Sequence, residues 1–341
     1  MSSALRTADA EQFETEAVRD CPYCGSAECT PLHLDLEDLT FDAFPGTFDM
    51  VTCASCGTGY LRTRPTPRSL PLAYKAYYTH AAGAPASGRA AGGFRKKING
   101  WFVATRFGGE RRLKYVLAGS IMELFANKSR EIRNANRFLP ATQGRVLDYG
   151  CGNGDFLARA RDLDWDCVGV DFDADALAVC RSRGLTVYSP DELPATEVFD
   201  AITLSHVLEH VADPPALLAA LHDKLAPGGQ LYIELPNIDS LAHRRFGRSW
   251  RGIEAPRHFA LPPKTALIAL LTKTGFAVIR FVSRPSIYPG IVAESEALWD
   301  KEGRGPRPTH GLFERLTAKR PGGRSEFLTL TCRKRDDSAG V

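Results

Sequence analysis

The 341-residue sequence predicts an α/β protein: an open, mostly parallel sheet wound with helices, with a small metal-binding module at its N-terminal end. Apolar strand patterns alternate with helical ones from about Gly144 onward. A glycine turn, Gly150-Cys151-Gly152-Asn153-Gly154, joins the buried strand pattern of Val146-Leu147 to a helix opening near Asp155. Such a turn cradles a ligand at the C-terminal edge of a parallel sheet. Two CxxC pairs, Cys21/Cys24 and Cys53/Cys56, precede all of this.

Composition sets the bounds. Hydrophobic content of 44% and charged content of 24% are ordinary for a soluble globular protein. The net charge of +3 argues against a strongly basic nucleic-acid binder. No apolar run approaches the roughly 20 residues that span a bilayer. The first 20 residues are polar, with no apolar signal core, which predicts a cytoplasmic protein. The nine cysteines are then reduced, and their pairs read as metal ligands rather than disulfides.

Residues 1–18 have little to bury and read as a flexible tail. Residues 19–62 carry the four paired cysteines. Four thiolates form a closed tetrahedral zinc site with no position open for catalysis, so this Zn2+ is structural. Gly25 and Gly57 follow the two pairs and let each knuckle bend. Leu32 to Val51 alternates loosely and reads as short strands, giving a zinc ribbon. A redox dithiol, an iron–sulfur centre or packing cysteines are the alternatives, and Cys29 is a spare. Residues 63–143 form a linker and a basic helical segment. Tyr78 and His80 in the linker either line a substrate pocket or pack the ribbon against its neighbour. From Phe94 to Phe138 the pattern is helical and basic, with Arg95, Arg112, Lys128 and Arg137 among its cations. It either attracts an anionic substrate or presents a solvated face.

The dinucleotide spacing G-x-G-x-x-G is not matched. Gly-x-Gly-x-Gly, with Asp148 two residues ahead, instead resembles motif I of class I S-adenosylmethionine (SAM) methyltransferases. That resemblance implies that Asp148 faces the methionine ammonium and that Gly150, Gly152 and Gly154 pass the carboxylate and ribose. It places Asp171, beside Phe172 at the end of the second strand, on the ribose hydroxyls. Asp191, after the third strand, would meet the adenine amino group. Ser205 and His206 end the fourth strand beside the cofactor. The segment from His206 through Leu208-Glu209-His210 to Asp213-Pro214 resembles many small-molecule methyltransferases, including ubiquinone-type O-methyltransferases. Gly247 to Phe259, with Pro256-Arg257-His258, resembles a subgroup frequent in bacterial glycan and secondary-metabolite pathways.

The resemblance covers roughly residues 144–282. It implies a seven-stranded Rossmann-like sheet in a domain over 144–334, with strand order 3-2-1-4-5-7-6. Residues 327–332 then form the strand inserted between the fifth and the sixth, and 335–341 form a tail. Residues 284–325 read as an insertion without a clear pattern. The front end also resembles sugar C-methyltransferases, which join two CxxC pairs to a SAM domain. The further C-terminal domain of those enzymes and their Tyr–His pair are not found, which favours an oxygen over a carbon acceptor.

A methyl sulfonium is already activated, so the protein must align donor and acceptor, exclude water and remove a proton. His258 is the first candidate base, and His210 oriented by Glu209 is the second. Arg244, Arg245, Arg248, Arg251 and Arg257 surround His258 in the sequence and suit phosphate oxygens. The expected acceptor is therefore a small anionic molecule such as a nucleotide-linked sugar. An RNA base methyltransferase with a zinc recognition module is one rival. It is opposed by the low net charge and by the absence of an Asn-Pro-Pro-Tyr-type motif after the fourth strand. A non-catalytic SAM-binding scaffold is the other.

Overall fold

The computed structural model describes residues 13–70, 126–282, 284, 287–309 and 324–335. Tyr78 and His80 lie outside the described residues, as does most of the basic segment.

The strands of the main sheet are β6 (Arg145–Tyr149), β7 (Asp166–Val170), β8 (Thr186–Tyr188), β9 (Phe199–Ser205), β10 (Leu225–Pro236), β12 (Phe276–Val282) and β13 (Phe327–Lys334). Their order is β12-β13-β10-β9-β6-β7-β8, which is the expected 3-2-1-4-5-7-6 read from the other edge. β6 pairs in parallel with both β7 and β9, and β7 with β8. Both faces of these strands are covered, so they read as apolar runs and not as alternation: Val146, Leu147, Val168, Val170, Ile202 and Leu204 are all buried.

The chain divides into two compact units that do not follow sequence order. One comprises Tyr78–Ser205, Leu221–Tyr232 and Thr331–Val341, and the other Met1–Tyr77, His206–Ala220 and Ile233–Leu330. We call them the donor unit and the acceptor unit, for reasons given below.

The core of the donor unit gathers β6–β9 and the helices α1 (Ala126–Ala135), α2 (Asp155–Arg161) and α3 (Ala174–Ser182). Its buried residues include Leu139, Phe156, Leu157, Trp165, Leu177 and Leu185. α3 starts at Asp173, whose side chain accepts from the backbone N–H groups of Asp175 and Ala176, satisfying two donors that a helix start leaves open.

In the acceptor unit, a four-stranded sheet has the order β11-β4-β3-β2, from β2 (Cys29–Leu36), β3 (Phe48–Cys53), β4 (Gly59–Leu61) and β11 (Ala260–Leu261). β11 follows His258 by two residues and pairs antiparallel with β4, Ala260 opposite Tyr60. The ribbon is therefore completed by a strand about 200 positions away. Helix α4 (Pro214–Asp223) starts at this unit's His206–Ala220 stretch. The short α5 (Leu241–Phe246) and the helix α6 (Lys264–Lys273) follow. Trp250 (1% exposed), Phe246, Met50, Leu61 and Phe259 share one core here. Full burial of such side chains contributes roughly 1.5–3 kcal/mol each.

Two sequence expectations are corrected. Residues 13–18 do not form a loose tail: β1 (Thr15–Ala17) pairs antiparallel with β5 (Thr63–Pro65), and Glu16 bridges Arg64 at 2.7 Å. A polar strand held by one partner has no apolar period to reveal it. The 284–325 stretch contains a helix, α7 (Tyr288–Lys301), whose Tyr288, Val292 and Ser295 are buried at i, i+4 and i+7. Pro289 and Gly290 in its first turn disguise this period, although proline is tolerated there. α4 ends at Asp223, and Pro227-Gly228-Gly229 lies inside β10. Among the described residues, no helix is long and apolar enough to cross a membrane.

Candidate functional site

In the donor unit, β6 carries Asp148 into the glycine turn. The N–H groups of Gly150 and Cys151 both donate to the Val170 carbonyl, at 2.7 and 3.0 Å, folding the turn against β7. Gly154 has φ +78° and begins α2. A Cβ at this position would lie 2.5 Å from Leu185 Cδ1 and 2.8 Å from Cys180 Sγ, so only glycine fits.

Asp148 is fully buried. Its Oδ1 accepts from Thr203 Oγ1 at 2.8 Å and pairs with Arg137. Burial pushes its carboxyl up, against the pull of Arg137. Its Oδ2 has no hydrogen-bond partner among the described residues. A buried carboxylate oxygen without a donor fits a ligand cation, as the ammonium of SAM would supply. Asp171 is fixed by backbone: Oδ2 accepts from Gly152 N–H at 2.8 Å and Oδ1 from Asp173 N–H at 3.0 Å. Each oxygen keeps a further lone pair, enough for two ribose hydroxyls. Phe172, beside it, is 48% exposed and offers an apolar face to a base. Asp191 is exposed and Ser205 half-buried at the end of β9. Sequence reasoning missed Arg137 and Thr203 as partners of Asp148. Arg137 was hidden among the other cations of a basic stretch, and Thr203 sits in an apolar strand.

The acceptor unit holds the cysteines. One sulfur from each of Cys21, Cys24, Cys53 and Cys56 lies within 4.8 Å of the others. Gly25 and Gly57 both have φ +77°, and their N–H groups close the two knuckles onto the carbonyls of Cys21 (2.8 Å) and Cys53 (3.0 Å). Burial holds the Cys21 thiol up. Burial also opposes ionisation of Cys53, but the backbone N–H groups of Cys56 and Ser55 outweigh it and bring the thiol down to about 7. Four converging sulfurs suit a tetrahedral, thiophilic ion.

The same unit begins its second stretch at His206, which sits in the left-handed region at φ +56°, costly for a side-chain-bearing residue. His206 was expected to pack beside the cofactor. Within its own unit it is gripped by two carboxylates, Nδ1 at 3.2 Å from Glu209 and Nε2 at 3.4 Å from Glu234. Burial disfavours the charged ring, but hydrogen bonds to Glu209 and Glu234 outweigh it and raise the imidazole to about 10. An imidazolium of that kind is no base at neutral pH. Burial opposes the charge of Glu234 too, yet His206 and Arg284 bring it down to about 2.

Glu209, His210 and His258 come together, one ligand-type atom of each within 4.8 Å of the others. His210 Nδ1 donates to the Arg257 carbonyl at 2.9 Å, and His258 Nδ1 donates to the Gly252 carbonyl at 2.7 Å. In the neutral form of either ring the lone pair is then on Nε2. The rings stand edge to face, centroids 4.7 Å apart. Glu209 is fully buried; its Oε1 faces His206 and its Oε2 has no hydrogen-bond partner among the described residues. The Phe259 N–H donates to the Glu209 carbonyl at 2.7 Å, tying this turn to the loop of His258. His258 is 5% exposed, and burial outweighs the nearby Glu254 charge to bring it down to about 4. A lone base so weak is poorly matched to a hydroxyl, which counts against His258 as the first candidate.

The arginines are largely engaged. Arg257, expected to face substrate, is fully buried and clamped by Asp38 and Glu254. Arg251 pairs with Glu254 and Glu294, and Arg248 with Glu302. Arg245 reaches the Tyr288 hydroxyl at 3.3 Å. Arg244 is 54% exposed, 3.8 Å from Asp239. A guanidinium in a buried bidentate pair supports a loop and is not offered to a ligand. The partners Asp38 and Glu254 carried no signal in the sequence.

A family model described as a methyltransferase domain matches residues 110–280, just over half of the chain. Among curated proteins, the tRNA U34 carboxymethyltransferase of Azotobacter vinelandii is 33% identical over 151 residues, 40% of this chain and 47% of that protein. The ubiquinone biosynthesis O-methyltransferase of Xanthomonas oryzae pv. oryzae is 35% identical over 103 residues, 27% of this chain and 43% of that protein. The chain thus spans about half the length of the curated relatives it matches. Among solved structures, an S-adenosylmethionine dependent methyltransferase from Mesorhizobium loti has a TM-score of 0.43 at 21% identity, covering 60% of this chain and 97% of that one. A SAM dependent methyltransferase from Archaeoglobus fulgidus has a TM-score of 0.39 at 20% identity, covering 62% and 94%.

Proposed function

Because the chain belongs to the methyltransferase-domain family, we propose that it transfers the methyl group of SAM to an oxygen of a small molecule. In this reading the donor unit holds SAM through Asp148, the turn at Gly150 to Gly154, Asp171 and Phe172. The acceptor unit receives the hydroxyl at Glu209, His210 and His258. The acceptor oxygen attacks the methyl carbon in line. The new C–O bond forms as the S–C bond breaks, and the electron pair leaves with sulfur as S-adenosylhomocysteine. The hydroxyl proton passes to the Glu209–His210–His258 cluster, and no single histidine has to act alone.

The observation that carries the reading is the buried Glu209, with one oxygen on His206 and the other without a donor among the described residues, beside two histidines whose Nδ1 atoms are engaged by backbone carbonyls. A buried carboxylate oxygen without a donor is costly unless something binds it. Four of the five arginines already have carboxylate partners within 4 Å, so the acceptor need not be anionic. Zinc at Cys21, Cys24, Cys53 and Cys56 has a folding role, holding the knuckles from which β2 and β3 extend.

The test uses methyl-labelled SAM and fractions of cell extract containing small molecules, glycans, RNA and protein. The reading expects label in the small-molecule or glycan fraction, as an alkali-stable methyl ether. Label in RNA would overturn it and favour the chemistry suggested by the tRNA-modifying relative. Label in protein would overturn it as well.

A further inference from the structure

We infer that Glu209, His210 and His258 form a binding site for a first-row divalent transition ion, separate from the four-cysteine site. The inference deepens the proposed reading: with its three ligand atoms on the ion, the cluster would no longer take the hydroxyl proton itself, and the ion would instead polarise the acceptor oxygen so that this proton is released to water; the site itself stands on its own observations.

The donor set is the first. Two imidazoles and one carboxylate, with their ligand-type atoms mutually within 4.8 Å, match the mixed nitrogen–oxygen sets that hold zinc, iron or cobalt and leave positions open. The second shell is the next. Metal-bound imidazoles characteristically donate their other N–H to a carbonyl or carboxylate, which fixes the tautomer and aims the free nitrogen. His210 and His258 both do this, to the carbonyls of Arg257 and Gly252 at 2.9 and 2.7 Å. Those carbonyls belong to the loop that the buried Arg257–Asp38 and Arg257–Glu254 pairs hold in place. The arginine thus acts through the backbone on the aim of two ligands.

The unsatisfied polar atoms give the independent observation. Glu209 is 0% exposed and its Oε2 has no hydrogen-bond partner among the described residues. The hydroxyl of the buried Tyr23, in the first cysteine knuckle, is in the same position. Leaving such groups unpaired is costly, and more so for a charge. A cation on Glu209 Oε2 removes the larger part of that cost. His210 is half-buried, whereas Glu209 and His258 are closed off, so the ion is reached from the His210 side.

The experiment uses the full-length protein as isolated, with zinc in its thiolate site, and Co2+ as the probe. The wild-type chain is expected to take up one further equivalent of Co2+. Its visible bands should be weak and lack thiolate charge-transfer. In Glu209→Gln and His258→Gln that uptake should weaken by more than about 100-fold, beyond what loss of a second-shell group costs. Pulsed electron paramagnetic resonance on the wild type loaded with Cu2+ should show nitrogen couplings from two imidazoles. That readout stands if either variant fails to fold. No uptake beyond the thiolate site, uptake unchanged in both variants, or a bound ion without imidazole couplings would each overturn the inference. The two readings fail separately. Methyl transfer to an oxygen by a protein that takes up no ion beyond the thiolate site would sink the metal site alone. A bound ion with no transfer to an oxygen would sink the proposed reaction alone.

Discussion

The donor and acceptor units use buried carboxylates in opposite ways. In the donor unit Asp171 is set by its own neighbourhood, held by backbone N–H groups 2 and 19 positions away, although Asp148 reaches Thr203 over 55. In the acceptor unit the charges are set across the chain: Arg257 meets Asp38 over 219 positions, and His210 meets the Arg257 carbonyl over 47. A binding turn built from one strand–turn–helix passage can be read from a dozen consecutive residues. A cluster assembled from the turn after β9 and the loop before β11 cannot, because its meaning lies in the packing that assembles it.

That contrast can be attacked first where it is largest. Arg257→Ala removes one partner of a fully buried charge pair and leaves Asp38 and Glu254 without it. We expect a loss of about 3–5 kcal/mol in denaturant unfolding, and loss of the aim of His210 and His258. A loss below 1 kcal/mol would show that the pair is not the support we describe. Gly154→Ala is the donor-unit counterpart. Its Cβ would meet Leu185 and Cys180 inside 3 Å at a positive φ. Overpacking and left-handed strain together should cost about 2–4 kcal/mol, with SAM binding weakened in calorimetry.

Acid should expose the acceptor unit. Burial opposes the charge of Glu254, but His258, Arg251 and Arg257 bring it down to about 2, and Glu234 is depressed as far. A carboxylate whose folded value lies below its unfolded value of 4.5 stabilises the fold above that pH, and this stabilisation is lost as pH falls from 4.5 through about 2. Unfolding free energy should therefore fall across that window by on the order of a few kcal/mol, and less steeply in Glu254→Gln. His206 works the other way. Its folded value near 10 stabilises fully below 6.5 and is lost as pH rises through 10. Because the ring is 38% exposed, solvent screens it and the alkaline edge should be shallower. The smallest effect is Asp173→Ala at the start of α3, about 1 kcal/mol in thermal unfolding without change in the acceptor unit.

Sequence reasoning reached the sheet and its order because apolar runs, glycine turns and βα alternation are local. It reached the Cys21/Cys24 and Cys53/Cys56 knuckles for the same reason. It found His258 and the Glu209–His210 pair as separate candidates but not their convergence, since only tertiary packing brings a turn after β9 next to the loop before β11. It misjudged the arginines because composition shows charge without showing who neutralises it. Asp38 lies in an irregular stretch, and nothing in its neighbours announces a partner 219 positions on. The helix α7 was hidden by the proline and glycine of its first turn.

The central claim is that SAM is held in the donor unit while the acceptor is activated at Glu209. The most direct measurement pairs calorimetry of SAM with single-turnover methyl transfer in Glu209→Gln, once the labelled product has identified the acceptor. The account predicts unchanged SAM affinity and transfer slowed by about 10²–10⁴-fold. Unimpaired transfer, or loss of SAM binding with the fold intact, would contradict it.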